Sequence, residues 1–116
     1  LEDPAFADKF AQLRLDLADQ SSLFGRYVDQ VRRGETLGPD VSILKIWAME
    51  LYQRISEQLL EAAEEKAMYE GAVDFDGEDV DVLSPFYMSR PGTIYGGSNE
   101  IQRNIVAKDV LRLPVK

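Results

Sequence analysis

The strongest constraint on the fold is the helical spacing of apolar side chains in two long stretches, residues 4–34 and 39–71. In each stretch the apolar residues recur at steps of three, four or seven, so they share one face of a helix. They are Phe6, Phe10, Leu13, Leu17, Phe24, Val28 and Val31 in the first stretch, and Leu44, Trp47, Leu51, Ile55, Leu59 and Ala62 in the second. A helix of about 30 residues spans roughly 45 Å. Two such helices joined by a short connection are predicted to lie antiparallel.

The ends of both helices are predicted from capping residues. Asp3 is placed to cap the first helix, and Pro4 takes its first position, where the missing N–H loses no hydrogen bond. Gly34 ends this helix after two arginines, which suit the negative end of the helix dipole. The sequence GETLGPD has the composition of a turn, and the second helix is predicted to continue to near Gly71.

The remainder of the chain is predicted to be loop and short helix. The stretch from Asp74 to Asp81 carries five carboxylates. It is interpreted as a solvated loop, with weak binding of a divalent cation as the alternative, although its residue order does not fit an EF-hand. The sequence SPFYMSRPG indicates a short helical segment that Pro91 stops, and a last helix is predicted to end before Pro114. Strand signals are close to absent, which predicts one all-α domain over residues 1–116.

Composition excludes several classes of function. The chain has no cysteine and no histidine, which removes disulfides, thiolate chemistry and the commonest metal ligand, so no metal site is predicted. A net charge of −8 makes nucleic acid a poor partner, because a polyanion needs a basic footprint. No stretch approaches the roughly 18 apolar residues that a membrane span needs.

The sequence YGGSNEIQRN, from Tyr95 to Asn104, is the clearest candidate site. Two glycines allow positive φ and close approach of a ligand to the backbone. Ser98 or Asn99 can cap the helix that follows, with Gln102 at capping-box spacing from Asn99. The N–H groups of a helix start can receive an anion such as phosphate. The simpler interpretation is a glycine turn before a capped helix, and the spacing alone favours it.

The string GTIYGGSNEIQRNIVAKDVLRLP, Gly92 to Pro114, resembles the C-terminal signature of the acyl-CoA dehydrogenase family. The resemblance implies the C-terminal four-helix bundle of such a flavoprotein, here without the first bundle helix. Leu1 in place of Met agrees with a piece of a longer protein. Family members use FAD to oxidise an acyl-CoA to the 2,3-enoyl-CoA in fatty acid metabolism. A cytoplasmic location, if the source is bacterial, and an oligomer, homomeric or heteromeric, are therefore expected.

The resemblance also implies roles for single residues of the motif. By matched position, Gly97 approaches the substrate, while Ser98, Asn99 and Glu100 contact the flavin. Gly96 stands where many members carry the catalytic glutamate, so no catalytic residue is assigned. The base then lies outside these residues, or the protein has none. Glu100 is a poor substitute, because its matched role is at the helix start.

One further feature keeps the function open. The stretch AMYEGAV matches the family turn that touches a neighbouring subunit's cofactor only at Gly71, so the flavin site is expected to be incomplete and the isolated chain inactive. The chain is therefore interpreted as part of an FAD-dependent acyl-CoA dehydrogenase. The alternative is a non-catalytic partner subunit or helical assembly module.

Other side chains of the sequence leave two interpretations each. The large side chains at Trp47, Met49, Tyr52 and Tyr69 fit core or interface packing better than a ligand groove. Arg103 fits a phosphate or carboxylate ligand as well as a salt bridge within the bundle.

Overall fold

The computed structural model describes residues 2–114, and its first helix agrees with the sequence prediction. Helix α1 runs from Pro4–Arg32. It begins there because Asp3 Oδ1 accepts the N–H of Ala5 at 3.0 Å, which satisfies a donor that the helix itself cannot. It ends before Gly34, whose φ of 78° suits glycine and breaks the helical path. The predicted N-cap and stop are both confirmed.

Helix α2 is shorter than predicted. It runs from Val41–Ala63 rather than to near Gly71, and a 3-10 helical turn follows at Glu64–Met68. The break comes at Glu64, which has a φ of 50°. After the break, Ala67 is buried with Ala63 and Val82 in a small core, against which Phe75 and Val80 also pack. Here tertiary packing overrides a sequence of good helix formers.

The acidic stretch is a β-hairpin, and the prediction of a loop in a chain without strands was wrong at this point. Strands β1 (Ala72–Phe75) and β2 (Glu78–Asp81) pair antiparallel, with Val73 opposite Val80. Asp76 and Gly77 both have positive φ, as a two-residue hairpin turn requires. The Gly77 N–H donates to Asp74 Oδ2 at 2.9 Å.

The hairpin covers the small core at the end of α2. Ala63, Ala67 and Val82 are buried, and four half-buried residues pack around them: Leu59, Leu60, Phe75 and Val80. Lys66 holds the hairpin from outside, since its Nζ donates to the Asp74 carbonyl at 2.7 Å and lies 4.8 Å from the centre of the Phe75 ring. Phe75 and Val80 of the hairpin thus pack against this core, whereas its carboxylates are exposed except for that of Asp81, which is half-buried.

Short helices complete the chain, as predicted, though the last of them is not a continuous α-helix. Helix α3 (Leu83–Ser89) begins where Asp81 accepts both the N–H and the hydroxyl of Ser84, at 3.0 and 2.6 Å. A 3-10 turn at Pro91–Thr93 leads toward α4 (Asn99–Ile105), which continues as a π-helical turn over Val106–Val110. The all-α class is confirmed, with the hairpin as its one departure within the described residues.

Helix α2 lies at the centre of the molecule and packs against α1, α3 and α4. The molecule measures 50 × 32 × 27 Å, and its radius of gyration is 17.6 Å. A compact domain of 100 residues has a radius of about 13 Å. The molecule is therefore elongated, and much of α1 is left open, with Leu17 and Phe24 49% and 57% exposed. Among residues 2–114, no helix is both long and apolar enough to cross a membrane.

Candidate functional site

The motif singled out in the sequence forms an exposed turn between the 3-10 helix and α4, which we call the glycine loop (residues 94–98). Its start is fixed against α2, because Gly92 is buried and a Cβ added there would meet Met49 Sδ at 2.7 Å. The N–H groups of Ile94 and Tyr95 both donate to the Pro91 carbonyl. The loop therefore leaves a fixed point on α2 before it turns outward.

Both glycines of the loop have positive φ, 66° at Gly96 and 89° at Gly97, as the sequence predicted. Their surroundings differ. A Cβ added at Gly96 would have no neighbour within 4 Å, whereas one at Gly97 would meet Gln102 Nε2 at 2.6 Å. Gly96 is thus open to close approach from outside the chain, and Gly97 is constrained by the side chain of Gln102.

Ser98 caps helix α4. Its Oγ accepts the N–H of Ile101 at 3.3 Å, and its carbonyl accepts the N–H of Gln102 at 2.9 Å. Of the two cap residues that the sequence allowed, the structure selects Ser98 and places Asn99 as the first residue of the helix. Gln102 turns back over the loop and lies 3.5 Å from the Gly96 carbonyl.

Asn99 joins α4 to α2 through a network of charged groups. Lys45 Nζ donates to Asn99 Oδ1 at 3.0 Å and to the Gly97 carbonyl at 2.7 Å. Asn99 Nδ2 lies 3.4 Å from Glu50 Oε1, which also pairs with Arg103. An ammonium can only donate and a carboxylate can only accept, so these two neighbours fix which end of the amide faces each of them. Of the two interpretations of Arg103, the structure shows the salt bridge within the bundle.

Polar contacts continue along the same side of α2 toward α3. Gln53 Nε2 donates to the Ser89 carbonyl at 3.2 Å, and the hydroxyls of Ser56 and Ser89 lie 3.0 Å apart. Glu57 accepts from Arg90 at 2.9 Å. We call this line of α2 residues the polar seam: Lys45, Glu50, Gln53, Ser56 and Glu57. At 3.6 residues per turn these positions share one side of the helix, and the seam positions the whole segment that carries the glycine loop.

The structure brings the predicted site residues together at one end of the molecule, with different exposures. Gly96 and Glu100 are exposed, Gly97 and Ser98 are half-buried, and Asn99 is only 2% exposed. The side chain of Asn99 is committed to α2, so its predicted contact with a flavin would have to use its backbone. The assignments of Gly97, Ser98, Asn99 and Glu100 remain predictions.

Sequence reasoning missed Lys45 and Glu50, which hold the loop from α2. Charged residues within an amphipathic helix normally lie on its solvent-exposed face, so the residue types themselves gave little indication that Lys45 and Glu50 contact the loop. Their position on the same side of the helix as Gln53 and Ser56 was the only sign of a second contact surface.

Other residues considered in the sequence lie apart from the loop. Trp47 lines a groove of about 540 Å³ between α2 and the last helical turns, together with Ile43, Val106 and Leu111. Tyr69 is 62% exposed beside the hairpin. Within residues 2–114 no group of three or more acidic, histidine or cysteine side chains is arranged to hold a metal ion.

The carboxylates of the hairpin serve local structure in at least one case. The hydroxyl of Ser84 and then its N–H lower the pKa of Asp81, because both hydrogen bonds favour the ionised form. Asp81, the last carboxylate of the hairpin, therefore accepts hydrogen bonds from the first turn of α3.

Comparisons with known proteins connect most of the chain to one family. The family described as "Acyl-CoA dehydrogenase, C-terminal domain" matches residues 1–111. A segment of 39 residues is 56% identical to the protein named "Acyl-CoA dehydrogenase IpdE1" of Mycobacterium tuberculosis (strain ATCC 25618 / H37Rv), covering 34% of this chain and 10% of that protein. A segment of 29 residues is 69% identical to the protein of the same name from Mycolicibacterium smegmatis (strain ATCC 700084 / mc(2)155), covering 25% of this chain and 7% of the relative. The matched segments thus span a tenth or less of either relative, and no solved structure matches the chain significantly.

Proposed function

The chain belongs to the acyl-CoA dehydrogenase family through its C-terminal domain, and from this premise we propose that it forms part of an FAD-dependent acyl-CoA dehydrogenase. The reaction proposed for the whole protein is oxidation of an acyl-CoA thioester to the 2,3-enoyl-CoA. In it this chain supplies bundle packing and one edge of the flavin and substrate site. The observation that carries the proposal is the glycine loop, which is held from α2 and open at Gly96.

The residues of the loop fit a flat ligand that approaches closely. Gly96 has no neighbour within 4 Å of the position where a side chain would begin, so a ring or thioester can lie against its backbone. Ser98 and Glu100 would hold the flavin at the start of α4, Asn99 would contribute its backbone, and Gly97 would face the substrate. Bound FAD would supply the acceptor for the hydride.

The proposed reaction needs a base that Gly96 does not provide. In many family members this position carries the glutamate that removes the α-proton, and glycine has no side chain for that task. The enzyme hypothesis therefore requires a carboxylate from elsewhere in the assembled protein, close to the opening beside Gly96. The chain by itself is expected to be inactive.

The experiment that tests this proposal uses the full-length protein. It should be purified with its flavin, mixed anaerobically with acyl-CoA thioesters of different chain length, and followed by flavin absorbance. Bleaching of the flavin band by at least one thioester is the expected result. A protein that binds flavin and is not bleached by any thioester would contradict the proposed oxidation.

A second candidate function is that of a non-catalytic partner subunit or assembly module. The observation in its favour is the combination of glycine at position 96 with a large open surface on α1. Phe6, Phe10, Leu13 and Leu17 line a groove of about 250 Å³ with Ile55 and Leu59. Gln58 also lines it, and its Nε2 is buried without a hydrogen-bond partner in residues 2–114. Such a surface favours a further helix or subunit as cover.

Assembly and activity can be separated by experiment. Mass measurement of the purified complex reports whether the protein is homomeric or pairs with a second chain. If flavin is bleached only when a second chain is present, this chain is the partner subunit. Bleaching by a homomeric protein would exclude the partner hypothesis.

A further inference from the structure

Lys45 makes the one contact, among the described residues, that holds the carbonyl of Gly97 from a side chain. Its Nζ lies 2.7 Å from that carbonyl oxygen and 3.0 Å from Asn99 Oδ1, so two of its three N–H donors are used on residues that flank Ser98. The side chain is half-buried and comes from the second turn of α2. A charged donor to a backbone carbonyl is stronger than a neutral one.

The contact has a geometric consequence for the next peptide group. In a planar trans peptide the carbonyl of Gly97 and the N–H of Ser98 point in opposite directions. Because Lys45 draws the carbonyl toward α2, the Ser98 N–H points away from α2. Within residues 2–114 this N–H has no hydrogen-bond acceptor in the chain. It is thus a donor that is directed away from α2 and that the described residues leave unused.

The two glycines make the orientation of this peptide group depend on an anchor such as Lys45. Residues at positive φ of 66° and 89° are free to rotate their peptide planes, since glycine populates both halves of φ space. Without an anchor, the plane between Gly97 and Ser98 can turn over and direct a carbonyl to the ligand side. Lys45 opposes that rotation, and its second bond to Asn99 holds the start of α4 in the same orientation.

We propose that Lys45 is a positioning residue for the flavin and substrate site, acting through the Gly97 carbonyl to hold the Ser98 N–H toward the ligand. The identity of the ligand in this inference rests on the proposed function. The role of Lys45 in the geometry of the loop does not, and it can be measured without any ligand.

The variant that tests the proposal is Lys45→Met, which keeps most of the unbranched apolar stem and removes its donors. Lys9→Met is the matched control. Lys9 is also a lysine that bridges two elements with two short bonds, at 2.8 and 3.0 Å to Glu61, but it lies on α1. Three quantities should be measured for each full-length protein: the melting temperature, amide hydrogen exchange of residues 96–102, and the dissociation constant for FAD.

The expected result separates the two lysines. In Lys45→Met, the amides of Ile101 and Gln102, which are bonded to Ser98, should exchange about tenfold faster because the cap loosens. FAD should bind about tenfold more weakly, about the contribution of one hydrogen bond, because the Ser98 N–H is no longer held toward the ligand. Lys9→Met should change neither quantity, even where it lowers the melting temperature by a similar amount.

Other outcomes overturn the proposal. Equal exchange in Lys45→Met and wild type shows that the loop does not need the lysine. Equal weakening of FAD binding by both variants shows a general effect on stability. If Lys45→Met does not fold, Lys45→Leu, which also removes the charge and all three donors, is measured in its place with the same criteria. If wild-type protein binds no FAD, the proposed function fails, while the exchange measurement still decides the role of Lys45.

Discussion

The two sides of α2 differ in how they hold their neighbours. Toward α1, contact is made by apolar side chains such as Phe10, Leu13 and Leu59, with the salt bridges Lys9–Glu61 and Arg54–Asp16 at the rim. Toward the C-terminal segment (residues 83–105), contact is made by the polar seam, in which nearly every donor has a defined acceptor. The apolar side remains half open, whereas hydrogen bonds and salt bridges join the polar side to its neighbours.

Apolar packing and hydrogen bonding place different requirements on the neighbouring elements. Apolar packing is non-directional, so α1 can be covered by many partners of suitable shape. Hydrogen bonds fix distances and angles, so the seam sets the position of α3, the glycine loop and α4 relative to α2. The glycine loop, where we propose that a flavin and a thioester bind, lies on the side of α2 that has the second kind of contact.

The largest expected effect comes from the buried leucine of α2. Leu51 is 3% exposed, so Leu51→Ala should lower the free energy of unfolding by about 3 kcal/mol through lost burial and the cavity left behind. Leu17, on α1, is 49% exposed. Leu17→Ala should cost about 1 kcal/mol or less, because much of its side chain is already in solvent. Urea unfolding of the 116-residue chain, followed by circular dichroism, measures both.

The same pair of variants tests whether the apolar side of α1 is also open in the full-length protein. If another helix or subunit covers α1 in the full-length protein, Leu17→Ala should become markedly more destabilising there, while the cost of Leu51→Ala should change little. Equal costs for Leu17→Ala in the chain and in the full-length protein would show that α1 stays open to solvent.

A smaller effect is expected from the serine pair in the seam. The hydroxyls of Ser56 and Ser89 contact each other at 3.0 Å, and they also contact the carbonyls of Gln53 and Phe86 at 2.8 and 2.7 Å. Two hydroxyl protons cannot serve three contacts at once. Ser56→Ala and Ser89→Ala should each cost about 1 kcal/mol. The double variant should cost less than their sum by about 0.5 kcal/mol or more. Unfolding of all four proteins measures this coupling, and additive costs would show that the two hydroxyls act independently.

Sequence periodicity predicted α1, the start of α2 and the apolar contact between them, because the buried face of a helix recurs at every turn and gives apolar residues a regular spacing in the sequence. The glycine pair predicted the turn at Gly96 and Gly97, because glycine adopts positive φ without steric cost. Periodicity could not distinguish the polar seam from a solvated face, since Lys45, Gln53 and Glu57 are ordinary surface residues until their partners are known.

The hairpin and the break in α2 were missed for different reasons. The Asp76–Gly77 pair between alternating apolar residues is a recognised hairpin signal, which the density of carboxylates obscured. The end of α2 at Ala63 had no capping signal in the sequence. It depends on packing of Ala67 against the hairpin, a contact that local propensity does not describe.

An effect of similar size is expected at the link between the end of α1 and the turn before α2. The Tyr27 hydroxyl donates to Asp40 Oδ2 at 3.0 Å, and Tyr27 is 6% exposed. Tyr27→Phe should lower the free energy of unfolding by about 1 kcal/mol at neutral pH. Tyr87→Phe is the control, because Tyr87 is 63% exposed and its hydroxyl should contribute little.

The pH dependence of that difference tests whether the Tyr27 hydroxyl is responsible. Burial and then the hydrogen bond to Asp40 raise the pKa of Tyr27 above its ordinary value of 10.0. A raised pKa means that the protonated form is favoured by folding, so the contribution is complete below about pH 10 and is lost as the pH rises through the folded value. The advantage of wild type over Tyr27→Phe should therefore be constant between pH 7 and about 9 and shrink above about pH 10. A difference that stays constant through pH 11 would show that folding does not raise the pKa of the Tyr27 hydroxyl, and the hydrogen bond to Asp40 would then contribute little to holding the end of α1.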